Sequence, residues 1–499
     1  MKKLWFALVL CLALLWTGCG ADPVVSNPPV EDESVSSTQT ESGTVVVDFF
    51  CINDLHGKFA DGDNHPGVDE MTTYFEQADG PDNYVVLLSS GDMWQGSAES
   101  NMTHGQVIVD WMNELDFAAM AMGNHEYDWG EDAIEANAAM AEFPFLGINI
   151  FDVETGERVD YCESSTMVDC GGIQIGIIGA IGDCYSSIAV EKVDDVYFMV
   201  GDDLTRLVME ESTRLRAAGA DFIIYLLHDG LGDSKSSSVT PVGSGQLSGY
   251  YDTALSNGYV DLVFEAHTHQ RYLLQDEYGV YHLQYKGDNK GITHVEVRFD
   301  GETGRVTTKP ELVVGGDYAT LEDAPIVGEL LEKYDEQISP ARKVLGTNAQ
   351  DRRRNELRQL VADLYYEEAL ERWGRDYDIV LAGGFISVRD PGHLSPGEVT
   401  YAQLQTLFPF DNELVLCTIQ GDDLLDRFFE SDNSNYFICY GDYGAKVRSN
   451  IDPNKTYYIV VDTYSSTYAP NRLTEVERYG AELYARDLLA DYVEQGGLN

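Results

Sequence analysis

Val45-Val46-Val47-Asp48-Phe49-Phe50-Cys51-Ile52 runs straight into Asn53-Asp54-Leu55-His56-Gly57. The first eight residues are apolar, β-branched or aromatic, so they read as a buried strand. The strand then ends on Asp-x-His-Gly, which puts a carboxylate and an imidazole where the chain turns out of a sheet. Both are competent metal ligands. One such ending is weak on its own, because a turn can use the same residues. What decides the matter is whether later strands end the same way.

They do. Residues 85–90 are apolar and end in Gly91-Asp92, and residues 117–122 end in Gly123-Asn124-His125-Glu126. Residues 223–227 end in His228-Asp229, and residues 262–266 end in His267-Thr268-His269. In an open α/β sheet, sites form in the crevice beyond the carboxyl ends of the strands. Five of the chain's ten histidines lie in these endings, so the clustering is not a by-product of a His-rich composition. The physical logic is a two-metal site. A pair of divalent ions needs a bridging carboxylate, imidazoles, and room for a water that can attack phosphorus. Asp92 is the natural bridge, Asn124 offers a neutral amide oxygen, and His267 and His269 reach one edge from one loop.

Strand-like stretches at 84–89, 117–122, 173–180, 222–227 and 260–265 alternate with helical ones at 71–78, 106–115, 131–141 and 203–218. The region from residue 44 to 316 therefore reads as an α/β layered domain, closed by a strand at 292–299. At 499 residues, further domains are expected. Residues 317–345 read as a charged helical connector. Residues 346–499 read as a second, α+β domain, with helices over 355–373 and 476–494 and strands near 377–382, 413–419 and 457–462.

Net charge is −53, from 85 acidic and 32 basic residues, which argues against binding a nucleic-acid polymer. An anionic substrate would have to be met by metals or by local arginines. Residues 1–18 have the form of an export signal, with Lys2 and Lys3 before an apolar run over 4–16. Thr17-Gly18-Cys19 resembles the end of a bacterial lipoprotein signal, with Trp16 where Leu is usual; ordinary signal cleavage is the alternative. Residues 19–43, rich in Pro, Ser, Thr and acids, read as a disordered tether. Cys162 and Cys170 flank a short polar stretch that a disulfide would close in an oxidising compartment.

In this order, Asp-x-His, Gly-Asp, Gly-Asn-His-Glu, His and His-x-His resemble the calcineurin-like metallophosphoesterases. With its second domain the chain resembles the exported bacterial 5′-nucleotidase family. The resemblance implies a four-layer α/β/β/α metallophosphoesterase domain followed by an α+β 5′-nucleotidase C-terminal domain. It implies a metal-dependent phosphoric ester hydrolase that releases phosphate from nucleotides. A 2′,3′-cyclic nucleotide phosphodiesterase or UDP-sugar hydrolase on the same site is the alternative, and a catalytically silent nucleotide-binding envelope protein a further one. Two divalent metal ions (Zn, Mn, Fe or Co) are implied. One takes Asp54, His56, Asp92 and His269; the other takes Asp92, Asn124, His228 and His267. His125, paired with Asp128, stabilises the transition state or protonates the leaving group.

In the second domain Phe408-Pro409-Phe410-Asp411-Asn412 resembles the family's Pro-Phe-x-Asn, whose Phe stacks on the base. Phe410 as a packing residue is the alternative. Tyr464 falls at the second aromatic position by spacing, with Tyr468 its rival. The family's Asn-x-Gly-Gly-Ile-Arg reads here Ala382-Gly383-Gly384-Phe385-Ile386-Ser387-Val388-Arg389, so Arg389 comes two residues late. Arg354, at the end of Arg352-Arg353-Arg354, is a second candidate substrate arginine, a solvated charge run being the alternative. A bacterial cell-envelope location, with a tether through lipidated Cys19 and no protein partner, completes the expectation.

Overall fold

The computed structural model describes residues 43–61, 65–189, 192–230, 259–276, 278–426, 436–439, 450–467, 472–480 and 483–499. The expected signal, tether and Cys19 lie outside them. The first part of the chain runs β1 (Thr44–Ile52), α1 (Val68–Ala78), β2 (Tyr84–Ser89), α2 (Gln106–Glu114), β3 (Ala119–Ala121), α3 (Glu131–Met140) and β4 (Phe145–Leu146). It continues with β5 (Ser165–Cys170), β6 (Ile173–Ile181), α4 (Asp202–Ala217), β7 (Phe222–His228) and β8 (Leu262–Glu265). Then come β9 (Tyr272–Gln275), β10 (Tyr281–Gln284), β11 (Gly291–Asp300) and β12 (Arg305–Val314).

These strands form two six-stranded sheets, ordered β12-β11-β1-β2-β3-β4 and β9-β10-β8-β7-β6-β5. The inner faces meet in one core, where Phe49, Leu88 and Val295 of the first sheet share a cluster with Ile177, Leu226 and Phe264 of the second. Outside the first sheet, Met71 of α1 and Trp111 of α2 pack with Phe50 and Leu87. Outside the second, Leu204, Val208 and Leu215 of α4 cover Ile178, Ile223 and Tyr225. Helices, sheet, sheet, helices is the four-layer arrangement expected. Each fully buried Phe or Leu removed from water contributes roughly 1.5–3 kcal/mol, so the sandwich is a rigid base for a site at its edge.

Register places that edge. β1 and β2 are parallel with Ile52 opposite Ser89, and Ser89 in turn lies opposite Met120 of β3. In the second sheet Ile181 lies opposite His228, and Leu227 opposite Glu265. The residues that follow these pairs therefore leave both sheets on the same side.

Residues 317–345 are largely helical: α5 (Pro325–Lys333) is followed by short helices at Asp335–Ile338 and Ser339–Arg342. It is packed, since Val327, Leu330, Tyr334 and Ile338 join the core outside the first sheet. The Tyr334 hydroxyl donates to Asp110 of α2 at 2.6 Å. The remainder comprises α6 (Arg354–Trp373), β13 (Ile379–Phe385), α7 (Tyr401–Leu407), β14 (Leu414–Gln420), β15 (Tyr436–Cys439), β16 (Thr456–Asp462), β17 (Leu473–Arg478) and α8 (Ala485–Glu494). A five-stranded sheet, β15-β13-β16-β14-β17, organises it. Leu357, Val361 and Tyr365 of α6 pack on one face with Leu488 and Leu489 of α8.

One expectation fails here, and one open question is answered by the placement of two cysteines. The helix expected over 476–494 begins only at Ala485, because residues 473–478 pair with β14 as an edge strand and Gly480 then turns at φ 67°. Cys162 and Cys170 are free thiols. They sit in different cores, one outside the first sheet and one between the sheets, so no bridge closes the stretch.

Candidate active site at the shared sheet edge

Backbone geometry marks the site before any side chain is considered. Asp54 (φ 50°), His56 (50°), Asp92 (56°), His267 (65°) and His269 (51°) all hold left-handed backbone. Such geometry costs a non-glycine residue of order 1–3 kcal/mol, and it persists where surrounding structure enforces it, often at functional sites. Here each strand ends abruptly and throws its side chain back over the sheet edge. Gly57 (φ 60°) turns where no side chain fits: a Cβ there would lie 2.5 Å from Ser100 Cβ and 2.6 Å from Trp94 O.

The expected ligands converge. Donor atoms of Asp54, His56 and His269 lie within 4.8 Å of one another, as do those of Asp54, Asp92 and His228. His228 Nε2 is 3.1 Å from Asn124 Oδ1 and 3.3 Å from Asp92 Oδ2. His267 Nδ1 is 2.8 Å from the same Asn124 oxygen. Protonation can be read from the other ring nitrogens. His56 Nδ1 lies 3.1 Å from Gln95 O, and His228 Nδ1 lies 2.8 Å from Ser90 O. A carbonyl only accepts, so both Nδ1 atoms carry hydrogen and, in the neutral rings, both Nε2 atoms present lone pairs. His56 Nε2 then faces His269 Nε2 at 3.1 Å, and His228 Nε2 faces two oxygens. Converging lone pairs repel unless a cation lies among them, and this donor set of carboxylate, amide and imidazole fits divalent metal ions.

Burial pushes the Asp54 carboxyl up, but the His269 imidazole beside it overrides this and holds it at about 2. With no cation present, Asp92 is likewise held well below the usual range, against its burial, by the positive charge of protonated His228 and His125. Both are therefore anionic at neutral pH, as ligands must be.

His125 stands over this group. Its Nδ1 is 2.7 Å from Asp128 Oδ2, and its Nε2 is 3.0 Å from an Arg389 guanidinium nitrogen. Arginine only donates, so Nε2 accepts and Nδ1–H donates to Asp128. Burial lowers the His125 pKa, while Asp128 and Asp92 raise it, and the net direction is up.

A cavity of about 350 Å³ opens above, lined by Asp92, Asn124, His125, Asp128, His267 and His269 on one side. Phe385, Arg389, Phe410, Asn412 and Tyr464 line the other. Phe410 belongs to the wall rather than the core: its ring centre lies 5.6 Å from that of His125, and the Arg389 guanidinium sits 5.0 Å over it. The packing role falls instead to Phe408. Tyr464 pairs with Phe385 at 5.6 Å. Tyr468 lies outside the described residues.

Arg354 is not brought to the cavity wall. Its guanidinium donates to Val388 O and, at 3.1 Å, to Asp390 Oδ1. Arg358, one turn further along α6, donates to Ile386 O at 2.9 Å. Together they hold the 385–390 loop from below, and Lys290 grips it from the other part of the chain through Asp390 at 2.8 Å. This is how an arginine two residues late reaches His125.

Sequence reasoning missed Glu126 as a site residue, although the Gly-Asn-His-Glu motif contained the signal. Its fully buried carboxylate accepts the N–H groups of Asp92, Met93 and Gly123, each at 2.8 Å. It thereby ties the ends of β2 and β3 together. Ser187 and Lys192 also line the cavity and follow no recognisable pattern.

Comparison with known proteins agrees with this geometry. Residues 48–271 match the model of the calcineurin-like phosphoesterases, and residues 337–444 match that of the 5′-nucleotidase C-terminal domain. The chain belongs to the calcineurin-like metallophosphoesterases that carry a 5′-nucleotidase C-terminal domain, a family of metal-dependent phosphoester hydrolases. It is similar to a 5′-nucleotidase of Vibrio vulnificus, 27% identical over 434 residues, covering 75% of this chain and 73% of that one. It is also similar to protein UshA of Yersinia enterocolitica, 25% identical over 478 residues, covering 83% and 84%. Among solved structures, a 5′-nucleotidase precursor from Thermus thermophilus superposes with a TM-score of 0.68 at 17% identity, covering 91% of this chain and 96% of that one. At that identity the likeness speaks for the fold alone.

Proposed function

We propose that the protein is an exported phosphohydrolase that releases phosphate from nucleotides, using two divalent ions. The observation that carries this reading is the pairing, across one cavity, of a metal-competent edge with an aromatic and cationic wall. Asp54, His56, Asp92 and His269 would hold one ion, and Asp92, Asn124, His228 and His267 the other. Such ions supply Lewis-acid polarisation of the phosphoryl group and lower the pKa of water. The chain's own residues do the rest. His125, with its hydrogen on Nδ1 fixed by Asp128, turns Nε2 toward the phosphate and manages the proton of the leaving oxygen. Arg389 adds positive charge at the same point, in a protein whose net charge is −53. Phe410 and Tyr464 offer ring faces to a base, and Asn412 an amide to its polar edge. A membrane tether would run through lipidated Cys19. Among the described residues no helix is long and apolar enough to cross a membrane.

The reading is tested by stripping purified protein of metal, reloading it with Mn²⁺, Co²⁺ or Zn²⁺, and measuring phosphate release. Nucleoside monophosphates, 2′,3′-cyclic nucleotides and nucleotide sugars form the panel. Metal-dependent release from monophosphates is expected. Release from simple aryl phosphates with none from any nucleotide would overturn the substrate half.

A further inference from the structure

Gln284, at the end of β10, has no role in the site described above, yet it is fully buried directly behind it. Its side-chain amide grips one short loop at three points. The Thr268 hydroxyl donates to Oε1 at 2.9 Å, the Gln270 N–H donates to the same oxygen at 2.6 Å, and Nε2 donates to Ala266 O. The gripped residues are 266, 268 and 270. The two residues between them are His267 and His269, both in left-handed backbone.

The amide cannot turn over without loss. The Tyr272 hydroxyl donates to Glu265, so it can only accept from Gln284 Nε2, which lies 3.4 Å away. Glu265 is held in turn by His282 at 3.0 Å. The donor end of Gln284 is therefore fixed toward Ala266 and the acceptor end toward Thr268 and Gln270. On the far side of the loop, the Asp54 carboxylate accepts the His267 N–H at 3.1 Å, which ties the gripped loop to the β1 ending. The bare Gly230 makes room: a Cβ there would come within 2.3 Å of Gln284 Nε2, 2.4 Å of Thr268 Oγ1 and 2.8 Å of Ala266 O.

We infer that Gln284 is a positioning residue for the metal ligands, clamping alternate residues of the 266–270 loop so that His267 and His269 are held toward the two cation positions. The inference rests on the reading of those histidines as ligands. It needs no particular substrate. A side chain that orients ligands without touching the ion acts on affinity, and loss of such support typically weakens metal binding ~10–100-fold.

The test measures Mn²⁺ affinity of the full chain, stripped with chelator, alongside the thermal midpoint of the metal-free protein. Gln284→Ala is expected to weaken Mn²⁺ binding ~10–100-fold. Gln284→Glu keeps the acceptor for Thr268 and Gln270, so it should lose less affinity than Gln284→Ala. Gly230→Ala leaves Gln284 in place but crowds it, and should weaken binding too; it keeps the proposal open to refutation if Gln284→Ala does not fold. Mn²⁺ affinity within twofold of wild type in the folded variants, whatever their midpoints, overturns the clamp alone. A wild-type protein that binds no Mn²⁺, Co²⁺ or Zn²⁺ overturns the metal reading and the clamp with it.

Discussion

Behind the His-x-His loop lies an ion-paired histidine whose effect on stability can be worked out in advance. His282 is 2% exposed and is held between two carboxylates, with Nδ1 3.0 Å from Glu265 Oε1 and Nε2 3.7 Å from Asp276 Oδ2. Burial alone would lower its pKa; the contacts with Asp276 and Glu265 outweigh that and lift it from 6.5 to about 9. The folded protein thus binds this proton more tightly than the unfolded chain does. The stabilisation is complete below pH 6.5 and disappears as the pH rises through 9. At about 1.4 kcal/mol per pH unit, its size is about 3 kcal/mol. His282→Gln removes the titrating group but keeps a polar side chain of similar reach. Urea denaturation of metal-free protein, wild type and variant, between pH 6 and 9.5 is the assay. The wild-type advantage should shrink by about 3 kcal/mol across that window. An advantage nearly independent of pH would contradict the ion pair, since it would mean that His282 is neutral in the fold throughout.

Other expectations follow from single side chains. Glu126→Gln leaves one amide N–H group facing the backbone N–H donors that the carboxylate accepts, and should cost about 3 kcal/mol of stability, read as a lower urea midpoint. Arg389→Met removes a charge-assisted contact at His125 and should lower kcat/KM for a nucleotide ~10–100-fold while leaving the fold intact. Cys162 and Cys170 should both alkylate in denatured, unreduced protein; a disulfide-linked peptide pair in the digest would contradict their placement in separate cores.

The first part of the fold was legible because its chemistry and its periodicity coincide. Each metal-competent motif follows a run such as 85–90 or 223–227 that is apolar enough to be a central strand and too short to be a helix. What was not legible was polar or peripheral. β12 reads Arg-Val-Thr-Thr-Lys-Pro, with little apolar alternation, and takes strand geometry only because β11 offers it an edge. The end of edge strand β17 reads as helix for the same reason, since its Thr-Glu-Val-Glu-Arg has no buried face to declare its period. Of the site, Asp54, Asp92 and the histidines could be named in advance because their chemistry is unusual at strand ends. Arg354 was offered for the substrate and instead braces the loop that delivers Arg389, a distinction that depends on where α6 lies. Gln284 gave no signal at all, because a single amide in a strand acquires meaning only from the loop packed against it.

In the proposed reaction the sheet edge and the His125/Asp128 pair act together on a phosphoester. This is tested most directly by initial rates of phosphate release from one nucleoside 5′-monophosphate. The comparison is between wild type with Mn²⁺, the same protein with chelator, and His125→Ala with Mn²⁺. Release that chelation abolishes and Mn²⁺ restores is expected. His125→Ala should bind Mn²⁺ normally yet lose ~10²–10⁴-fold in kcat, the range of a general acid–base group. Full activity in His125→Ala, or release indifferent to the chelator, would contradict it.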